Sequence, residues 1–230
     1  MPNIITKLIK NLLMLLTPIL VILGSARLLA TDVYLAFEYG KRSFPPDVYG
    51  FTSQRRFALA SVNVHYVRAH LPYDALATQT LDGMPAYNPR EVSHMADVQS
   101  VFQVIVRVWQ VAFVLLLLLG FVLWETGEQR QFAAAIQSGG LLTSAIILAI
   151  VLLAIFAWQF WFNKFHLFFF QPGSWLFSYS DTLIRLFPVK FWFDATLTIS
   201  ILSIIGGLSL ALIGRKWRGS LQKSPQTIPL

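Results

Sequence analysis

Near neutral pH, the side chains of this chain best suited to moving a proton are its four histidines, His65, His70, His94 and His166. There is no cysteine, which excludes a thiol nucleophile, a disulfide, a cysteine-ligated zinc and an iron–sulfur cluster. No Gly-x-Ser-x-Gly elbow, phosphate loop or dinucleotide fingerprint occurs, and no histidine is followed by Asp at i+5. If His94 lies on a helix, Arg90, Glu91 and Asp97 stand at i−4, i−3 and i+3, on its own face. A carboxylate there would fix the imidazole tautomer and raise its basicity. The plainer reading is a solvated, charged first turn. His and Asp three apart can also share a metal, but the absence of His-Glu-x-x-His and of cysteine argues against one. His166 stands in Phe165-His166-Leu167-Phe168-Phe169-Phe170, with Trp175, Phe177 and Tyr179 beyond. Such a run is an interfacial aromatic belt, and it also desolvates the imidazole, keeping it neutral and fit to act as a base.

These residues need elements to position them, and the dominant elements are apolar. Of the 230 residues, 56% are hydrophobic, and mean hydropathy is +0.60. The excess lies in four stretches, about 8–30, 104–124, 141–162 and 195–214, each long enough to cross a bilayer. The net charge of +7 does not indicate a nucleic-acid partner, because the basic residues are not gathered with aromatics on a soluble face. Lys7 and Lys10 stand at the start of the first stretch, and Arg215, Lys216, Arg218 and Lys223 follow the last, which predicts cytoplasmic termini. Loops 31–103 and 163–194 then face outward and the short 125–140 segment inward. The first stretch exceeds a signal-peptide core and reads as a retained anchor. Two spans separate His94 from His166, so they share one side of the membrane whichever way the chain inserts. His65 and His70 have no such relation. In the second span Gln103, Arg107 and Gln110 form a polar stripe; Arg107 is either functional or snorkels to the headgroups.

The first loop is too rich in aromatics to be a linker. Pro45-Pro46-Asp47 predicts a turn, Thr52 or Ser53 the cap of a helix to about His70, and Leu81-Asp82-Gly83-Met84 a tight turn. Asn88-Pro89-Arg90-Glu91 is a capping box. It starts a helix over 89–124, roughly 54 Å long at 1.5 Å per residue. The expected fold class is an all-α membrane protein: four transmembrane helices with a small extracytoplasmic cap made mainly by the first loop. The expected partition is an N-terminal transmembrane helix (1–30), the cap with the start of the second long helix (31–102), a three-helix membrane region (103–214) and a disordered cytoplasmic tail (215–230).

The order of features resembles the lipoprotein intramolecular transacylase (Lit) family of bacterial membrane proteins. The resemblance rests on Asp47-Val48-Tyr49-Gly50-Phe51-Thr52 with Arg56, and on Asn88-x-Arg90-Glu91-x-x-His94-Met95-x-Asp97-Val98. It continues in Phe165-His166-x-x-Phe169, Trp175-Leu176-Phe177, Asp181, Phe187-Pro188 and Asp194, and covers about residues 8–214. It departs at Ser178-Tyr179-Ser180-Asp181-Thr182, where the family pattern carries prolines. The resemblance implies a multi-pass enzyme of the bacterial plasma membrane with its active site on the outer face. It implies no cofactor, a diacylated lipoprotein substrate within membrane lipid, and transfer of the sn-2 acyl chain to the α-amine of the lipoprotein's N-terminal Cys. His94 and His166 map onto the catalytic pair. Glu91 or Asp97 is expected to orient His94, and Arg90 or Arg107 to steady developing charge. Two other classes remain open: a different interfacial lipid hydrolase or acyltransferase, and a non-enzymatic membrane subunit.

Overall fold

Hydrocarbon offers no water to an unpaired amide, so long apolar stretches close their hydrogen bonds internally as helices. The computed structural model describes residues 2–223. Its elements are α1 (Asn3–Leu29), α2 (Asp32–Tyr39), α3 (Ser53–Ala69), α4 (Asp74–Ala77), β1 (Thr80–Leu81), β2 (Met84–Pro85), α5 (Pro89–Glu125), α6 (Gln129–Phe156), α7 (Trp158–Phe169), α8 (Thr182–Leu186) and α9 (Val189–Lys223). Helices α1, α5, α6 and α9 are long and apolar enough to cross a membrane, with mean hydropathies of 2.2 to 2.6. The chain divides into two compact units.

One unit comprises Met1–Ser25, Val108–Ile150 and Ser200–Leu230. Its helices pack through small residues, because lipid tails supply no hydrophobic force between helices and close backbone approach must hold them. A Cβ added at Gly140 would collide with the Gly207 carbonyl and the backbone of Ala211, and one at Gly214 with the backbone of Ala133 and Gln137. Gly140-x-x-x-Ser144 on α6 thus meets Gly207-x-x-x-Ala211 on α9 backbone to backbone. Polar bonds add register: Ser203 Oγ donates to Ser25 Oγ (3.2 Å), Trp109 Nε1 to Leu20 O (3.0 Å) and Arg218 Nη1 to Gln137 Oε1 (2.9 Å). Between α5 and α6, Gly127 takes φ 74°. The Glu128 N–H reaches Leu123 O and that of Gly127 reaches Trp124 O, a Schellman ending.

The other unit comprises Ala26–Arg107 and Val151–Ile199. Thr31 caps α2 and Thr52 caps α3, which ends on His70 in the left-handed region at φ 54°. The expected tight turn is an antiparallel hairpin of β1 with β2. Asp82 (φ 52°) and Gly83 (φ 82°) give its two positive-φ corner residues. Arg55 Nη2 donates to Asp82 Oδ1 at 2.7 Å and holds the hairpin to α3. Leu35, Ala60, Tyr66, Leu76 and Leu186 are the most buried members of the core, and Val92 and Met95 of α5 pack into it.

The structure differs from the sequence reading in three places. The third apolar stretch does not run unbroken from 141 to 162. Helix α6 already begins at Gln129, within the segment read as a loop, and ends at Phe156. Ala157 is non-helical (φ −140°, ψ 49°), and α7 starts afresh at Trp158. Alanine is the strongest helix former, so nothing local announces that break. Residues 215–223, read as disordered tail, continue α9; 224–230 lie outside the described residues.

Helix propensity alone gives Ala an advantage of about 1 kcal/mol over Gly at a helix interior. The contact with Gly207 reverses that sign, since overpacking typically costs about 1–3 kcal/mol. Gly140→Ala should therefore lower the thermal unfolding midpoint in detergent micelles. A raised midpoint would contradict the close approach.

Candidate active site

The site grows from the start of α5. The capping box forms in both directions: the Glu91 N–H donates to Asn88 Oδ1 (3.1 Å), and the Asn88 N–H donates to Glu91 Oε2 (2.8 Å). The second carboxylate oxygen of Glu91 accepts the Leu183 N–H at 2.7 Å. Glu91 is 2% exposed. It therefore ties the helix that carries His94 to α8 in the second expected outer loop. Five more bonds hold the same segment. Thr182 Oγ1 donates to Ala86 O (2.6 Å), Tyr39 OH to Leu186 O (2.6 Å) and Arg56 Nε to Arg185 O (2.5 Å), and Arg185 clasps Asp47 through Nε and Nη2 (2.9 and 3.0 Å).

His166 comes from α7. Its Nδ1 lies 2.8 Å from Phe162 O. A carbonyl only accepts, so Nδ1 carries the hydrogen, and the neutral ring keeps its lone pair on Nε2. After α7 the chain reverses at Gln171-Pro172-Gly173-Ser174, where the Ser174 N–H returns to Gln171 O (3.1 Å). Gly173 takes φ 84°, as the third residue of a Pro-Gly turn requires. The reversal brings Trp175 back over His166, with ring centroids 5.2 Å apart.

Both imidazoles flank one ring. The Phe170 centroid lies 5.0 Å from that of His94 and 5.7 Å from that of His166. Phe177 packs on His94 at 5.4 Å, and Phe162 on His166 at 4.1 Å. Both histidines lie outside the apolar stretches 104–124 and 141–162. Burial among aromatics disfavours the imidazolium, so His94 is pushed down to about 4, with the charge of nearby His166 adding to the effect. Burial also lowers His166, partly offset by the Phe162 carbonyl. Two neutral imidazoles in a greasy enclosure can accept and return a proton near pH 7.

The model of the family described as lipoprotein intramolecular transacylase Lit matches residues 11–192. This chain belongs to the Lit family. It is 32% identical over 211 residues to an uncharacterized protein of Aquifex aeolicus (strain VF5), covering 90% of this chain and 94% of that protein. The solved structure of the membrane integral Lit from Bacillus cereus superposes with a TM-score of 0.77 at 18% identity, over 96% of this chain and 99% of the other. Structures of two histidine variants of that protein, to arginine and to alanine, superpose with TM-scores of 0.69. The fold is thus that of Lit, and the chain is a multi-pass membrane protein of a transacylase family.

Within this Lit-type fold the supporting residues depart from their expected roles. Glu91 makes no hydrogen bond to His94; its oxygens accept the Asn88 and Leu183 N–H groups instead. Asp97 is exposed, and no bond joins it to His94. Nδ1 of His94 is buried without a hydrogen-bond partner. Arg90 points its guanidinium to Leu176 O and over the Phe177 ring at 5.8 Å, which fixes the loop beside His94. Arg107 is exposed and makes no ring contact with the histidine cluster, whereas Gln103 of the same stripe donates to Val67 O at 2.9 Å. Asp181 accepts from the Ser178 N–H (2.8 Å) and from Asn88 Nδ2 (3.3 Å), so in the loop without prolines this carboxylate ties the chain back to Ser178 and across to the start of α5. Among the described residues, no three His, Asp or Glu side chains gather as they would around a metal ion. His65 pairs with Asp32 at 2.8 Å on the surface.

The sequence alone does not single out Trp175 as a site residue, and it places Asp47 only in a turn, without its link to Arg185 or that of Arg56 to the Arg185 carbonyl. The Pro172-Gly173 pair was the available signal for the first; the bonds of the other two span 129 and 138 residues.

Two outcomes follow. With 13C-labelled histidine in micelles, the resonance lost in His94→Ala should titrate near pH 4; a midpoint at or above 6.5 would contradict the burial. The unfolded chain binds a proton at His94 between about 4 and 6.5 while the folded chain does not, so this group makes stability fall as pH drops through that window. Glu91→Ala leaves the Leu183 N–H, a buried donor, without its acceptor, and should destabilise the protein by about 1–3 kcal/mol. Chemical unfolding in mixed micelles measures it, and an unchanged midpoint would show that α8 is held elsewhere.

Proposed function

We propose that this chain moves the sn-2 acyl chain of a diacylglyceryl lipoprotein to the α-amine of the lipoprotein's N-terminal Cys, leaving a lyso, N-acylated product. The observation that carries the reading is the pair of neutral imidazoles around Phe170. Ester to amide is downhill, and donor and acceptor sit on one molecule. The enzyme therefore needs position and proton transfer, not a nucleophile of its own. A chain without cysteine or a serine elbow suits that demand.

His166 is the stronger choice for proton acceptor, because its Nδ1–H bond to Phe162 O leaves Nε2 basic and braces the ring as it becomes cationic. His94 faces the leaving glyceryl oxygen. General acid–base assistance of this kind contributes about 10²–10⁴-fold. Confinement of amine and ester between aromatic rings adds proximity. The outer face of the bacterial plasma membrane is the proposed setting, with unit Ala26–Arg107 and Val151–Ile199 supplying an extracytoplasmic cap and both termini in the cytoplasm. The basic residues at the ends of α1 and α9 support that orientation.

Co-expression with a diacylated lipoprotein should give a lyso, N-acylated N-terminus by mass spectrometry. His94→Ala and His166→Ala should each reduce it at least about 100-fold while the protein stays in the membrane fraction. Full activity in both variants would end the assignment. Release of free fatty acid without N-acylation would mark an interfacial lipid hydrolase instead, and a stable co-purifying protein with tolerance of His94→Ala a non-enzymatic subunit.

A further inference from the structure

Folded proteins pair the great majority of their buried polar atoms, and each exception needs a reason. Among the described residues six buried side-chain atoms lack a partner, and three of them sit on the histidine enclosure and its turn: His94 Nδ1, Ser174 Oγ and Trp175 Nε1. Trp175 is only 8% exposed. Its N–H can only donate, and a buried indole ordinarily finds an acceptor. The Pro-Gly turn and the contact with His166, at 5.2 Å and 32° between ring planes, fix it in place. The fold therefore holds a buried donor against the His166 ring and pairs it with no protein acceptor.

We infer that the Trp175 indole N–H, assisted by the Ser174 hydroxyl, is the hydrogen-bond donor for the acyl carbonyl oxygen of the substrate. The inference rests on the transacylase reading above. In the step concerned, the amine nitrogen lone pair forms the new C–N bond to the ester carbonyl carbon, and the C=O π pair moves onto oxygen. Trp175 Nε1–H donates to that oxyanion, while the amine proton passes to Nε2 of His166. On collapse the C=O re-forms and the bond to the glyceryl oxygen breaks. That oxygen keeps the bonding pair and takes the proton, giving an amide and an alcohol. With their ring centroids 5.2 Å apart, the indole and the imidazole lie within the span of a single ester group. Ser174 is not itself a nucleophile here, because no imidazole nitrogen accepts from its hydroxyl. Preorganised donors in a water-poor site stabilise the charge that appears only in the transition state.

The test uses the full-length protein in lipid vesicles with a synthetic diacylglyceryl-cysteinyl lipopeptide. Trp175→3-benzothienylalanine replaces N–H by sulfur and keeps the shape, and Trp175→Phe keeps an aromatic ring without the donor. Removing one oxyanion donor costs about 10²–10³-fold in rate. Both variants should lose that factor in kcat with KM nearly unchanged. The benzothienyl variant should keep or raise its thermal midpoint, because the N–H it loses had no partner to lose. Wild-type rates in that variant would overturn the inference, as would parallel falls in rate and midpoint, which mark a structural role. If the wild-type protein itself makes no N-acyl product, the transacylase reading fails and the inference with it. An active wild type with insensitive variants sinks the inference alone.

Discussion

The arrangement depends on one buried carboxylate. Glu91 accepts the N–H that opens its own helix and the N–H of Leu183, 92 residues away. Burying a charge is costly unless hydrogen bonds compensate it, and two amide donors at a helix start supply that compensation together with the favourable end of the helix dipole. The carboxylate thereby joins the turn of α5 that presents His94 to the segment that follows Trp175 and Phe177. Asp47 with Arg185, and Arg56 with the Arg185 carbonyl, hold the far end of the same short helix. Five residues cannot sustain a helix alone, so α8 owes its position to these long-range bonds.

The histidines illustrate a division between holding and reacting. Charged side chains in this unit are mostly spent on scaffolding: Lys41 bridges Glu38 and Asp194, Lys190 pairs with Asp194, and Arg55 pairs with Asp82. The imidazoles of His94 and His166 instead meet rings. Aromatic neighbours impose shape and exclude water without committing a nitrogen to a partner, which leaves His94 chemically available. The arrangement places the protein's electrostatic strength in the frame and keeps the enclosure weakly polar.

Much of this was legible in the sequence where the information is local or periodic. The capping box at Asn88–Glu91 marked the start of α5, Thr52 or Ser53 marked that of α3 (Thr52 is the cap), and Asp82-Gly83 marked the hairpin, because each depends on residues within four positions. Counting apolar stretches put His94 and His166 on one side of the membrane, while their packing around Phe170 came only with the structure. What escaped was non-local or locally unannounced. Glu91 stands one helical turn from His94, so spacing proposed a partnership that a distant amide had already taken. The break at Ala157 has no proline or glycine to signal it, and it turns the presumed end of a span into a separate aromatic helix. Trp175 read as part of an interfacial belt until the Pro-Gly reversal placed it on His166.

The bond from His166 Nδ1 to Phe162 O is made within one turn of the same helix. A nitrogen that already gives its hydrogen to a main-chain oxygen cannot also load or unload a proton without breaking that bond. In the proposed reaction the ring therefore has a single port, Nε2, for both uptake and release. Neither event requires the imidazole to flip, and the ring would begin every cycle already facing the way it must face at the end.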